Sequence, residues 1–76
     1  MTEDAQKEWA DLAKRHIKAT LKRHDVGYAK LAELLTEMGL AETEGSITVK
    51  INRGAFPAWF LFAVMRAVGA HTLHLE

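Results

Sequence analysis

Between Pro57 and Gly69 lies a stretch of helical length in which Trp59, Phe60, Leu61, Phe62, Val64, Met65 and Val68 leave no polar side, and Arg66 is the only charge. A helix that is apolar all round must be buried all round. In a chain of 76 residues there is little else to bury it. A chain this short hides only about 60% of the surface that its unfolded form exposes. Three other short helices cannot wrap such a segment completely, so an apolar strip of it should remain at the surface.

Those three helices are readable from periodicity. Trp9, Leu12, Ala13, His16, Ile17, Thr20 and Leu21 recur at steps of three and four, the spacing of an amphipathic helix, which we place at about residues 4–24. Glu3, Asp4 and Glu8 stand early in it and Lys18, Lys22 and Arg23 late, as the helix dipole favours. Asp25-Val26-Gly27 supplies a turn. A second helix runs from Tyr28 to Met38 with Leu31, Ala32 and Leu35 in its stripe, and Gly39 stops it. Leu40-Ala41-Glu42 is a connector. Thr43 is the expected N-cap of a short third helix, with Glu44 in its first turn, Ile47 and Ile51 as its inward pair, and Gly54 at its end. Pro57 sits in the first turn of the fourth helix, which runs to Val68. The tail Ala70–His74 alternates weakly, as a short strand or a frayed end would.

The pattern predicts one all-α domain over residues 1–74, and Leu75-Glu76 reads as the remnant of an expression tag. Hydrophobic residues make up 49%, with one Pro and five Gly, the composition of a folded globule. Cysteine is absent, so disulfides and thiolate metal sites are excluded. With no signal-peptide core and no span of membrane length, a cytoplasmic location is expected. Net charge is zero, low for a nucleic-acid binder, but the charges are segregated. Residues 14–30 hold Lys14, Arg15, Lys18, Lys22, Arg23 and Lys30 against Asp25 alone. Residues 31–49 hold Glu33, Glu37, Glu42 and Glu44 with no Lys or Arg. Such a division can steer an anionic partner to one face, or can be two ordinary solvated helix faces.

Leu31-Ala32-Glu33-Leu34-Leu35, then Ser46-Ile47-Thr48-Val49-Lys50-Ile51-Asn52-Arg53-Gly54, and finally Val64-Met65-Arg66-Ala67-Val68-Gly69 follow the order LAxxL, SIxxxIxRG and a small-aliphatic-Gly ending. In this the chain resembles the Cro/phage-repressor helix-turn-helix superfamily over roughly residues 17–69. Within it, the chain is most similar to a bacterial family of small uncharacterised domains. Trp9, Gly39, Glu42-Thr43, Ser46-Ile47, Lys50-Ile51, Arg53-Gly54, Phe56 and Trp59-Phe60 carry that likeness. The resemblance implies a bundle of four to five helices, lambda-repressor-like, with the third helix as the reading helix. Thr36, Glu37 and Met38 stand between LAxxL and Gly39, so the turn between the motif helices is longer than the superfamily pattern.

On that reading Ile47 and Ile51 face the core, and Ser46, Thr48, Val49, Lys50, Asn52 and Arg53 face base edges. Asn suits adenine, Lys and Arg suit guanine, and the Thr and Val methyls suit thymine. Lys22, Arg23, Tyr28 and Lys30 would meet phosphates. Trp59, Phe62 and Met65 would join two copies into a homodimer that spaces two reading helices along the duplex. The expected function is sequence-specific double-stranded DNA binding by a small homodimeric transcriptional regulator. The alternative is a protein-interaction module of the same fold that does not bind DNA. Either way, Arg53 could instead pair with Glu44 or Glu42. His71 and His74 are three apart, and His16 and His24 could share a helix face, yet no Cys or carboxylate joins them at ligand spacing, so no metal is expected. No carboxylate pair, nucleophile–base arrangement or phosphate-cradling Gly loop is visible. An enzyme, a cofactor and a small-molecule substrate are therefore not expected.

Overall fold

The structure, a computed structural model, describes residues 3–70. Within them the chain forms four helices and no strand: α1 (Glu3–Arg23), α2 (Tyr28–Glu37), α3 (Glu44–Arg53) and α4 (Ala58–Val68). The periodic reading placed all four to within a residue or so at each end. The alternating tail from His71 onward lies outside the described residues.

The core has a simple construction. Each helix inserts one pair of side chains spaced four apart: Ile17 and Leu21, Leu31 and Leu35, Ile47 and Ile51, Phe60 and Val64. That spacing puts both members on one helix face. α1 packs on α3 and α4, and α2 packs on the same two helices. The core thus draws equally on all four helices. Phe60 is fully buried, and Phe56 tilts against it at 5.4 Å.

Helix ends follow backbone chemistry. α1, α2 and α4 close with the same pair of backbone bonds, one spanning five residues and one spanning three. They are Val26 N to Leu21 O with Asp25 N to Lys22 O, Leu40 N to Leu35 O with Gly39 N to Thr36 O, and Ala70 N to Met65 O with Gly69 N to Arg66 O. This closure needs a left-handed residue. Gly39 (φ 90°) and Gly69 (φ 79°) supply it, but after α1 the residue is Asp25, at φ 56°. An L side chain is strained there, and a carboxylate lies badly against the negative end of a helix dipole. Asp25→Gly is accordingly expected to stabilise the domain by about 0.5–1 kcal/mol. Thermal melting should show Tm raised by a few degrees; a lower Tm would contradict this account of the turn.

Two sequence expectations are corrected here. Trp9, assigned to the inner stripe of the first helix, is 63% exposed. The reason is the contact between Ala10 and Gly54. A Cβ built on Gly54 would overlap the Ala10 carbonyl oxygen and lie 2.7 Å from its carbon. Backbones this close fix the rotation of α1 so that the Ala10 backbone meets the end of α3 while Trp9 stands in solvent. Pro57 is not in the first turn of α4 but caps it, with ψ 150° and its carbonyl accepting from Phe60 N at 3.0 Å.

Candidate nucleic-acid interface

α3 is the helix on which all six candidate reading residues lie, and its start is tightly specified. Thr43 is the N-cap: its Oγ1 accepts from Ser46 N at 3.1 Å, and Ser46 Oγ accepts from Thr43 N at 2.9 Å. The two side chains therefore satisfy each other's orphan backbone donors. Gly54 closes the helix in the left-handed conformation, φ 63°.

Of the six residues expected to face bases, the structure leaves three outward. Val49 is 50% exposed, and Asn52 and Arg53 are exposed as well. Their spacing of three and four places them on one strip of α3. The other three are engaged within the chain. Ser46 is held in the cap. Thr48 donates through Oγ1 to Glu44 O at 2.8 Å. Lys50 turns inward, which corrects its placement on the reading face. Its Nζ lies 2.5 Å from Glu42 Oε2, 5.0 Å from the Phe60 ring centre and 5.8 Å from that of Trp59.

Glu42 is the residue that sequence reasoning missed. Read as part of a connector, it is 8% exposed and holds α3 from the side. One carboxylate oxygen meets Lys50, and the other accepts from Ser46 Oγ at 2.7 Å. Burial pushes its carboxyl up, but the bonds from Lys50 and Ser46 outweigh that and leave it below its ordinary value. Spacing alone gave no such signal, because Glu42 precedes the extended cap residue Thr43, outside α3, and only the path of the connector brings it beside Ser46 and Lys50. The pairing of Arg53 with Glu42, considered from sequence, is replaced by that of Lys50.

The candidate phosphate contacts sit elsewhere. Lys22 and Arg23 are exposed in the last turn of α1, where Arg23 Nη2 donates to Thr20 Oγ1 at 3.2 Å. Lys30 is exposed on α2, 3.7 Å from Glu33. Tyr28 opens α2 half-buried against the core, and burial raises its phenol above the ordinary value. Arg53 is remote from the basic end of α1. It shares an open groove with Glu3, Asp4, Gln6, Lys7 and Ala10, and Ala10 precedes Lys22 by twelve residues, about 18 Å of helix. Arg53 thus does not join Lys22 and Arg23 in one patch: it lies toward the first half of α1, and they lie in its last turn.

α4 carries the remaining candidates. Trp59 and Phe62 are 51% and 65% exposed, whereas Met65 turns toward α1 and lines a small cavity with His16, Ile17, Thr20, Leu61 and Val64. Among the described residues no group of three His, Asp or Glu side chains is placed to hold a metal. His71 and His74 lie outside them. No helix among the described residues is long and apolar enough to cross a membrane.

Comparison with known families adds one finding. The family profile of a domain of unknown function, DUF6471, matches residues 9–73. The chain belongs to the DUF6471 family. The matched span takes in Trp9, the capped α3 with its Glu42–Lys50 brace, and the aromatic α4, so the braced helix pair belongs to the DUF6471 domain itself. No curated protein and no solved structure matches the chain significantly.

Proposed function

We propose that the domain is a small helix-turn-helix protein that binds double-stranded DNA as a homodimer and regulates transcription. One observation carries this reading. α2 and α3 are locked together by Leu31, Leu35, Ile47 and Ile51 while Val49, Asn52 and Arg53 stand outward on one strip of α3. A helix presenting a methyl-bearing residue, an amide and a guanidinium on one strip suits a major groove, where they can meet thymine, adenine and guanine. Lys22, Arg23 and Lys30, with the first turn of α2 at Tyr28, are the groups to position the helix on phosphates. Lys50 takes no part in reading. It braces α3 through Glu42 and α4 through the aromatic rings. The lengthened connector then serves a purpose, because it brings Glu42 back onto the side of α3.

Zero net charge limits the electrostatic contribution, so binding is expected to be weak on random duplex, with a salt slope of about −3 from three phosphate contacts. Asn52→Ala should cost about 1–2 kcal/mol on a preferred sequence and little on random DNA. Fluorescence anisotropy over a salt series reads both quantities. Equal weakening on every duplex would remove the base-reading role, and a flat salt response would remove DNA.

A second reading is favoured by a separate observation. The exposed Trp59 and Phe62 on α4 fit a protein contact, and a module that uses only this face needs no basic surface.

A further inference from the structure

The outward face of α4 is not uniformly apolar. Trp59, Phe62 and Arg66 are all exposed, and their offsets of three and seven residues put them on one line along the helix. The order along that line is aromatic, aromatic, cation. Its polarity makes the strip complementary to itself when reversed. If two such helices meet antiparallel about a two-fold axis passing between Phe62 and Ala63, the two Phe62 rings meet near the axis. Arg66 of each copy then lies over Trp59 of the other. A guanidinium on an indole face is a favourable cation–π and stacking contact, and a two-fold axis makes it twice. A parallel pairing would instead set Arg66 against Arg66.

We infer that α4 is the seat of a symmetric antiparallel dimer in which Arg66 of one copy stacks on Trp59 of the second copy. This deepens the homodimer element of the function proposed above, and rests on it, by fixing orientation and register. The interface is small. At their observed exposure the two rings offer roughly 250 Å² of aromatic surface per copy, well below the roughly 800 Å² per partner of a stable specific interface, so a weak dimer with a dissociation constant on the order of 100 μM is expected. The neighbouring side chains are compatible with close approach. Ala58 and Ala63 flank the strip, and no acidic residue occurs in α4.

The chain has no cysteine, so single introduced cysteines report the register cleanly. In sedimentation of the whole chain from about 1 to 500 μM, wild type should pass from monomer to dimer. Arg66→Ala should weaken the dimer at least tenfold, and circular dichroism should show it folded, because Arg66 is exposed. Under mild oxidation Phe62→Cys should cross-link with itself. Trp59→Cys should cross-link with Arg66→Cys in a mixture, and neither should cross-link well alone. A wild-type monomer at 500 μM overturns the inference, as does a dimer in which Phe62→Cys fails to cross-link or Arg66→Cys cross-links with itself. All arms are run without DNA. A domain that dimerises this way but binds no duplex therefore sinks the DNA reading alone.

Discussion

Gly54→Ala is expected to be among the most damaging single-methyl changes in the domain, costing about 3–4 kcal/mol. Two effects add. At φ 63° an L side chain is strained by about 1–2 kcal/mol. The new Cβ would also meet backbone, not a movable side chain, since its neighbours are the carbonyl oxygen, carbon and Cα of Ala10. Relieving such an overlap means moving α1 away from α3, at a typical overpacking cost of about 1–3 kcal/mol. A domain of this length holds only about 4–11 kcal/mol in total. Thermal melting should therefore show Tm lower by about 15–25 °C. Gly69→Ala is the matched control. Its φ of 79° carries the same conformational strain, but among the described residues nothing lies within 4 Å of its Cβ, so the loss should be about 1–2 kcal/mol. Equal losses at the two glycines would mean that the contact at Ala10 contributes nothing.

The second large effect concerns Glu42. Glu42→Ala removes the acceptor from Lys50 and Ser46 and leaves an ammonium partly enclosed by Trp59, Phe60 and the end of α3. Breaking one side of a buried pair typically costs about 3–5 kcal/mol. Lys50 keeps some access to water, with its side chain 31% exposed, so about 2–3 kcal/mol is expected here. Glu42→Gln retains an oxygen for Ser46 or Lys50 and should lose less. The same site gives a pH signature. The folded carboxyl lies below its ordinary 4.5. Its contribution to stability is therefore complete above pH 4.5 and is lost as pH falls through the lower folded value. Denaturant melts should find the gap between wild type and Glu42→Gln closing across that window. A gap that stays constant down to pH 2 would show that Glu42 is not held ionised by its partners.

Much of the fold was legible because the stop and start signals are backbone chemistry. Gly39, Gly54 and Gly69 occupy left-handed positions, Thr43 offers the right oxygen to an N-terminus, and Ile47 and Ile51 share a face whatever surrounds them. The strip of apolar surface left on α4 also follows from counting helices against the length of the chain. What was not legible depends on how helices are turned against one another. Periodicity put Trp9 and Ile17 in one stripe, but the close approach at Ala10 selects one edge of that stripe and leaves Trp9 in solvent. Helix position likewise put Lys50 on the outer face. Its long stem lets it reach back to a carboxylate that the connector returns to the same side, and no single-helix pattern contains that return. Glu42 looked like one of four solvated acids because burial of a charge depends on a partner eight residues away.

The claim on which the functional account turns is that α3 meets the duplex, and a chemical-shift titration of isotope-labelled protein with short duplexes at low salt tests it most directly. The account predicts that the amides of Val49, Asn52 and Arg53 move together, that smaller shifts appear at Lys22, Arg23 and from Tyr28 to Lys30, and that Lys50 and Glu42 keep their mutual contact throughout. Shifts that are absent, or confined to Trp59, Phe62 and Arg66 while α3 stays silent, would contradict it.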